Sequence, residues 1–284
     1  MSAKIIDGKK LAQKLLDQAK KDVEKMDPKP KLVVIQVGDD PASTVYVNNK
    51  KKACEKIGLL SEVIKLPETI TQDELLNEID KLNVDKYVHG MIVQLPIPEH
   101  ISVPLIMKEI DPKKDADGFC AYNLGKMFIS EEFEHLAPAT PVGIIKMLEE
   151  YDIKIRGKHA VMIGASNIVG KPIAIMLKNR GATVSICDID TADISIFTKM
   201  ADILIVAVGK ENLITADMVK DGVAVIDVGM NRSEKDGKLC GDVDFDNVKE
   251  KASFISPVPK GVGPMTIASL VLNTIKARER ILEE

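Results

Sequence analysis

The sequence predicts a two-domain α/β protein built on parallel sheets. Three observations carry that expectation. Apolar, β-branched runs alternate with segments of helical period from end to end, the pattern of strands joined by crossover helices. The 284 residues favour two domains over one. The stretch from Asp111 to Pro141, rich in Pro, Gly and Asp and without clear periodicity, reads as functional loops plus an interdomain connection.

The elements follow in order. Lys31 to Val37 reads as a strand, and Pro41 and Ser43 then open a helix. Val63 to Leu66 is a shorter strand. Thr71-Gln72-Asp73-Glu74 supplies an N-cap for a helix reaching Leu82. Gly90 to Pro96 is an apolar strand closed by proline. Val142 to Tyr151 forms a helix leading out of the loop-rich stretch, and His159 to Ile163 forms the next strand. After Gly164 to Pro172 a helix runs to Arg180, with Gly181 as its stop. Thr183–Cys187, Ile203–Val208 and Val223–Val228 continue a parallel series that ends with Phe254–Ser256. A final helix, Met265 to Leu282, is expected to pack back on the first domain.

Hydrophobic residues make up 45% of the chain and charged residues 29%, and the net charge is −4. No broad basic surface points to nucleic acid. No run approaches membrane-spanning length, and the N-terminus shows no signal-peptide core. Cys54, Cys120, Cys187 and Cys240 lie far apart without a Cys-x-x-Cys pair, which suits free thiols in a reducing cytoplasm. His89, His100, His135 and His159 lack metal-ligand spacing, so no metal site is expected.

Five features can carry chemistry. Tyr46 and Lys50 stand at i, i+4 on one helix face, with Cys54 one turn on, so a phenol flanks an amine that desolvation can bring toward deprotonation. The plain alternative is a solvated lysine run, Lys50-Lys51-Lys52. Gln94 is a polar residue at the C-terminal end of an apolar strand, the edge where open α/β sheets bind ligands, although it could merely satisfy backbone groups beside Pro96. Asp115 and Asp117 are either turn formers or acceptors for a heterocyclic amino group. Gly164-Ala165-Ser166-Asn167-Ile168-Val169-Gly170 joins a buried-type strand to a helix, where a dinucleotide pyrophosphate would meet backbone N–H groups. Its Gly-x5-Gly spacing departs from the generic Gly-x-Gly-x-x-Gly. Ser256 to Thr266 is either a stiff linker or a loop whose glycines let backbone approach a ligand.

Taken together these motifs resemble the bifunctional methylenetetrahydrofolate dehydrogenase/methenyltetrahydrofolate cyclohydrolase family. The resemblance runs from Ile6-Asp7-Gly8 to the last helix. It includes Val37 to Ser43 leading to Tyr46 and Lys50, Val93-Gln94-Leu95-Pro96, Lys114 to Phe119, Asn123-Leu124-Gly125 and Thr140-Pro141-Val142-Gly143. Further on it includes Gly164 to Gly170, Asp227-Val228-Gly229 and Gly261 to Thr266. Single members are weak; all of them in this order are specific. The resemblance implies a catalytic, folate-binding domain over residues 1–140 and a Rossmann-like NAD(P)-binding domain over 141–264, with a folate cleft between them, in a homodimer. It implies oxidation of 5,10-methylenetetrahydrofolate with NAD(P)+ and hydrolysis of the methenyl product to 10-formyltetrahydrofolate. Lys50 matches the catalytic lysine, Gln94 the glutamine bonded to it, Tyr46 the tyrosine stacked near the folate and Asp117 the acid gripping the pterin. Pro259 and Gly261 fall at substrate-binding positions, and Gly164, Ala165, Ser166, Asp188, Ile189 and Met230 at cofactor-binding ones.

Three positions depart from the family pattern. Ala139 replaces a cysteine, which the chemistry should tolerate. Lys260 stands where a glycine is usual and would be strained if that position needs a positive φ. Cys187-Asp188-Ile189-Asp190-Thr191 lacks the usual basic pattern, which favours NAD over the family's NADP.

Overall fold

The structure, a computed structural model, describes residues 2–233, 235 and 237–283. It divides into two compact units. One comprises Gln13–Ala139 and the chain from Ile267 onward; the other comprises the residues up to Ala12 and Thr140–Thr266. The elements of the amino-terminal half are β1 (Lys4–Ile5), α1 (Gly8–Glu24), β2 (Lys31–Val37), α2 (Pro41–Ile57), β3 (Leu60–Leu66), α3 (Gln72–Val84), β4 (Gly90–Gln94), α4 (Val103–Glu109) and α5 (Ala121–Ile129).

The first unit is organised by a parallel sheet of order β3-β2-β4. β2 is the central strand and its apolar residues are buried, as a strand covered on both faces should be. Beneath it Val33, Ile35, Leu75, Ile79, Met91 and Ile106 form one core. α2 begins where Pro41 presets the first helical φ and the Asp40 side chain accepts from the Ser43 N–H, and it stops at Gly58 in the left-handed conformation. α3 carries a complete capping box, with Thr71 and Glu74 exchanging side-chain-to-backbone bonds.

The carboxy-terminal half continues with α6 (Ala139–Glu150), β5 (His159–Ile163), α7 (Gly170–Asn179), β6 (Thr183–Cys187), α8 (Ser195–Thr198), β7 (Ile203–Val206), β8 (Ala224–Asp227), β9 (Asn231–Arg232), β10 (Leu239–Cys240), α9 (Phe245–Val248), β11 (Phe254–Ile255) and α10 (Val262–Glu283). The second unit holds a six-stranded sheet of order β1-β11-β8-β7-β5-β6, all of whose pairs are parallel. β5 has β6 on one side and β7 on the other. The strand order reverses there, and ligands of such sheets bind beyond the carboxyl ends of the strands flanking the reversal. The short β9–β10 ribbon is antiparallel.

Two expectations need correction. The stretch from Asp111 to Pro141 contains a helix, α5, hidden from pattern reading because its cap is Cys120, whose Sγ accepts from the Asn123 N–H, and because Gly125 interrupts it. The division into 1–140 with the final helix, and 141–264, also differs from the structure at the first residues. Lys4 and Ile5 pair with Phe254 and Ile255, so the chain start completes the sheet of the second unit. No helix among the described residues is long and apolar enough to cross a membrane.

Candidate active site

α2 follows β2 from the carboxyl edge of the three-stranded sheet, and β4 ends at the same edge. That geometry brings a residue on the helix opposite a residue at a strand end. Lys50 is only 7% exposed, and its Nζ donates to Gln94 Oε1 at 3.0 Å. The Gln94 Nε2 donates to the Leu95 carbonyl at 2.6 Å. These two partners fix the amide, because the flipped form would set an NH2 against an ammonium and a carbonyl against a carbonyl. A turn before Lys50, burial pushes the Tyr46 phenol up, so it remains a hydrogen-bond donor and not a base. A turn after it, burial pushes the Cys54 thiol up to about 12, so this sulfur is inert.

Asp115 and Asp117, equivalent by spacing, have different surroundings. The segment enters beside β4 through a parallel bridge of Met91 with Asp115. The Met91 N–H donates to the Lys114 carbonyl at 2.8 Å and the Ala116 N–H to the Met91 carbonyl at 3.3 Å. Lys114 is held by its ammonium, which donates to the carbonyls of Leu82, Asn83 and Asp85 at the end of α3. Asp115, 1% exposed, is saturated by its own loop. Its Oδ1 accepts from the N–H groups of Gly118 and Phe119, and its Oδ2 from the Cys120 N–H at 2.8 Å and Asn123 Nδ2 at 3.0 Å. Asp117 lies two residues beyond that single bridge, in the bend before Gly118. Desolvation pushes its carboxyl up, the nearby Lys50 ammonium pulls it down, and Asp115 adds to the rise.

In the second unit β5 ends at Ile163 and Gly164 turns the chain with φ 108, a conformation that L side chains rarely adopt. A Cβ there would also sit 2.3 Å from the Ala207 carbonyl oxygen, and one on Gly170 would sit 2.0 Å from the Gly164 oxygen. Ser166 Oγ accepts from the N–H groups of Val169 and Gly170 and so closes the entry to α7. This tight cradle, at the helix start and the strand reversal, fits a dinucleotide pyrophosphate. After β6, Asp188, Ile189 and Asp190 are all exposed, Ile189 at 96%. Asp188 Oδ1 accepts from the Asp190 N–H and the Thr191 hydroxyl. Met230, 45% exposed, lies between β8 and β9.

Tyr46, Lys50, Gln94 and Asp117 thus share the first unit. Gly164, Ala165, Ser166, Asp188, Ile189, Met230, Pro259 and Gly261 belong to the second. Lys260 has φ 85, the strained case anticipated for a lysine at this position, and its carbonyl accepts from the Lys9 N–H. Pattern reading missed the groups that hold these loops in shape: Lys114, Asn123 and Asp242. Asp242 follows a glycine and Asn123 stands in a short helix two residues before one, sequence signals too common to single them out. Among the described residues no three His, Cys, Asp or Glu side chains gather to hold a metal ion.

Residues 6–117 match the catalytic domain of tetrahydrofolate dehydrogenase/cyclohydrolase, and residues 138–282 match the NAD(P)-binding domain of the same family. A bifunctional protein FolD of Nautilia profundicola is 53% identical over 283 residues, 99% of each chain. The crystal structure of the bifunctional FolD methylenetetrahydrofolate dehydrogenase/cyclohydrolase of Campylobacter jejuni superposes with a TM-score of 0.94 at 49% identity, covering 98% of this chain and 99% of that one. The Trypanosoma brucei enzyme, complexed with NADP and an inhibitor, gives 0.95 at 33% identity over the full length of both. With its two domains matched in order, its strand-reversal cradle and its lysine–glutamine pair, the chain belongs to the tetrahydrofolate dehydrogenase/cyclohydrolase family and is a bifunctional enzyme that oxidises 5,10-methylenetetrahydrofolate with a nicotinamide dinucleotide and hydrolyses the methenyl product.

Proposed function

We propose that Lys50, Gln94, Asp117 and Tyr46 carry the folate chemistry of this enzyme. The observation behind the proposal is a nearly buried lysine bonded at 3.0 Å to a neutral amide, whose charge reaches an otherwise desolvated carboxyl. In the hydrolytic step water adds to the methenyl carbon, the bond from that carbon to N5 breaks, and of the water's two protons one goes to N5 and one is released. Gln94 orients the Lys50 amine, which is assigned the handling of the proton in this step. Asp117 accepts from the amino edge of the pterin, and Tyr46, kept protonated, flanks the ring. Pro259 and Gly261 contribute backbone to the folate. The oxidative step needs mainly alignment of two ligands, the dinucleotide supplying the hydride acceptor when bound. Gly164, Ala165 and Ser166 receive its pyrophosphate, Asp188 and Ile189 border its adenosine ribose, and Met230 borders its nicotinamide half.

The dinucleotide we propose is NAD. The Trypanosoma brucei relative was solved with NADP, but in this chain two exposed carboxylates, Asp188 and Asp190, stand where a 2′-phosphate would need a cation. The nearby Lys171 ammonium is engaged with Asn167 Oδ1 at 2.8 Å. We further propose a homodimer acting in the cytoplasm, whose reducing conditions suit a chain with four scattered cysteines and no Cys-x-x-Cys pair.

Lys50→Met tests the first reading. The folded variant should lose methenyltetrahydrofolate hydrolysis by a factor of about 100 or more, in the range of a removed general acid–base group, and should keep more of its dehydrogenase activity. Hydrolysis at the parental rate would remove Lys50 from the mechanism. For the cofactor, the parent should show the higher kcat/KM with NAD, and Asp188→Ser with Ile189→Arg should shift the ratio toward NADP. A parent faster with NADP would overturn the NAD reading alone.

A further inference from the structure

The carboxyl edge of the second sheet contains two buried aspartates that no step above uses. Asp227, at the end of β8, and Asp242, after β10, are 3% and 0% exposed. Asp227 accepts from the N–H groups of Gly229 and Asp242 through Oδ1 and from that of Val243 through Oδ2, all at 2.9–3.0 Å. Asp242 in turn accepts from Val208 and Gly209 through Oδ2, at 2.7 and 3.0 Å. Its Oδ1 accepts from the Lys210 N–H at 2.8 Å and from Asn231 Nδ2 at 2.9 Å.

The two segments interlock. A Cβ on Gly229 would lie 2.2 Å from the Asp242 carboxyl carbon, and one on Gly241 would lie 1.8 Å from Asp227 Oδ2. Asp-Val-Gly at 227–229 and Gly-Asp at 241–242 are therefore reciprocal: each aspartate occupies space that the other segment's glycine leaves open. The loop this clamp grips follows β7, next to the strand reversal. Its first residue, Ala207, turns its carbonyl against Gly164, so the loops after β5, β7 and β8 are tied into one frame. Met230 stands between two clamped neighbours, Gly229 through its N–H and Asn231 through its side chain.

We propose that Asp242 is a positioning residue for the dinucleotide: without touching it, the carboxylate holds the 208–210 loop and Met230 in the shape that receives the cofactor's nicotinamide half. The proposal rests on the dinucleotide reading of this sheet edge. Four N–H donors converge on the two oxygens, so asparagine cannot replace the carboxylate. Whichever way its amide turns, an NH2 faces two donors.

The test is Asp242→Asn, with Asn231→Ala as the milder variant that removes one donor of the four. Binding of NADH and NADPH is followed by the change in their fluorescence, and both activities are assayed. Asp242→Asn should raise the dissociation constant of the preferred reduced dinucleotide, and its oxidised partner's KM in the dehydrogenase reaction, by about tenfold or more, as loss of charge-assisted bonds requires. Methenyltetrahydrofolate hydrolysis, which consumes no dinucleotide, should keep its kcat and KM. Asn231→Ala should give a smaller shift in the same direction and decides the matter if Asp242→Asn does not fold. Dinucleotide affinity within about twofold of the parent in both folded variants overturns the proposal, since even one lost hydrogen bond exceeds that. So does a parallel loss of both activities, which would make the clamp a general element of the fold. A parent protein that bound neither reduced dinucleotide would instead overturn the reading of the edge itself.

Discussion

Replacing Asp115 by asparagine should unfold the first unit more readily, whereas the same change at Asp117 should not. Asp115 is 1% exposed and accepts four hydrogen bonds, two on each oxygen. In asparagine one oxygen becomes an NH2, so two donors lose their acceptor and face another donor at close range. A hydrogen bond to a charged group contributes about 1.5–3 kcal/mol, giving a loss of roughly 3–6 kcal/mol. That is a large part of the roughly 5–15 kcal/mol that ordinarily separates folded from unfolded protein. At about 2–4 °C per kcal/mol the melting temperature should fall by on the order of 10 °C. Asp117 has the opposite balance. Desolvation already disfavours its ionised form, so a neutral isostere relieves a cost, and stability should change by less than about 1 kcal/mol while folate binding weakens. Urea unfolding of the two variants, followed by circular dichroism, with folate KM measured for each, separates the roles. Equal destabilisation by both substitutions, or an Asp115→Asn protein as stable as the parent, would refute the division of labour between the two acids.

Two further outcomes follow from the site. The Lys50 ammonium lowers the Asp117 pKa against its desolvation. In Lys50→Met that pKa must rise, so folate binding, if the carboxylate has the role proposed for it, should be lost on acidification at a higher pH than in the parent. Profiles of folate KM against pH that coincide, or that shift the other way, would break the electrostatic link. Lys260 holds φ 85 in the loop shared with Pro259 and Gly261. Lys260→Gly should stabilise the protein by about 0.5–1 kcal/mol, the relief of a left-handed lysine less the added freedom of glycine when unfolded; a lower urea midpoint would show that this lysine makes compensating contacts.

The strands were the most legible part of the sequence, because buried parallel strands are written as nearly continuous apolar runs: Lys31–Val37 and His159–Ile163 fall where those runs lie. Helix starts with a chemical cap were nearly as legible, and Thr71 with Glu74 is the clearest case. α5 was not, since a sulfur cap and an internal glycine leave no pattern to read. Nor was the membership of residues 4 and 5 in the second sheet, because a two-residue strand is specified by its partner at 254–255 and not by its own composition. The site divides along the same physical line. Lys50 and Gln94 could each be anticipated, from a helix face and a strand end, and their bond only from the family resemblance. The different environments of Asp115 and Asp117 could not, because spacing assigns both to one turn. What separates them is what each carboxyl meets: four N–H donors from residues 118–123 converge on Asp115, whereas burial and the nearby Lys50 ammonium act on Asp117. A carboxylate that meets four backbone and amide donors is structural whatever its neighbours in sequence. One left desolvated beside an ammonium retains the capacity to bind something else.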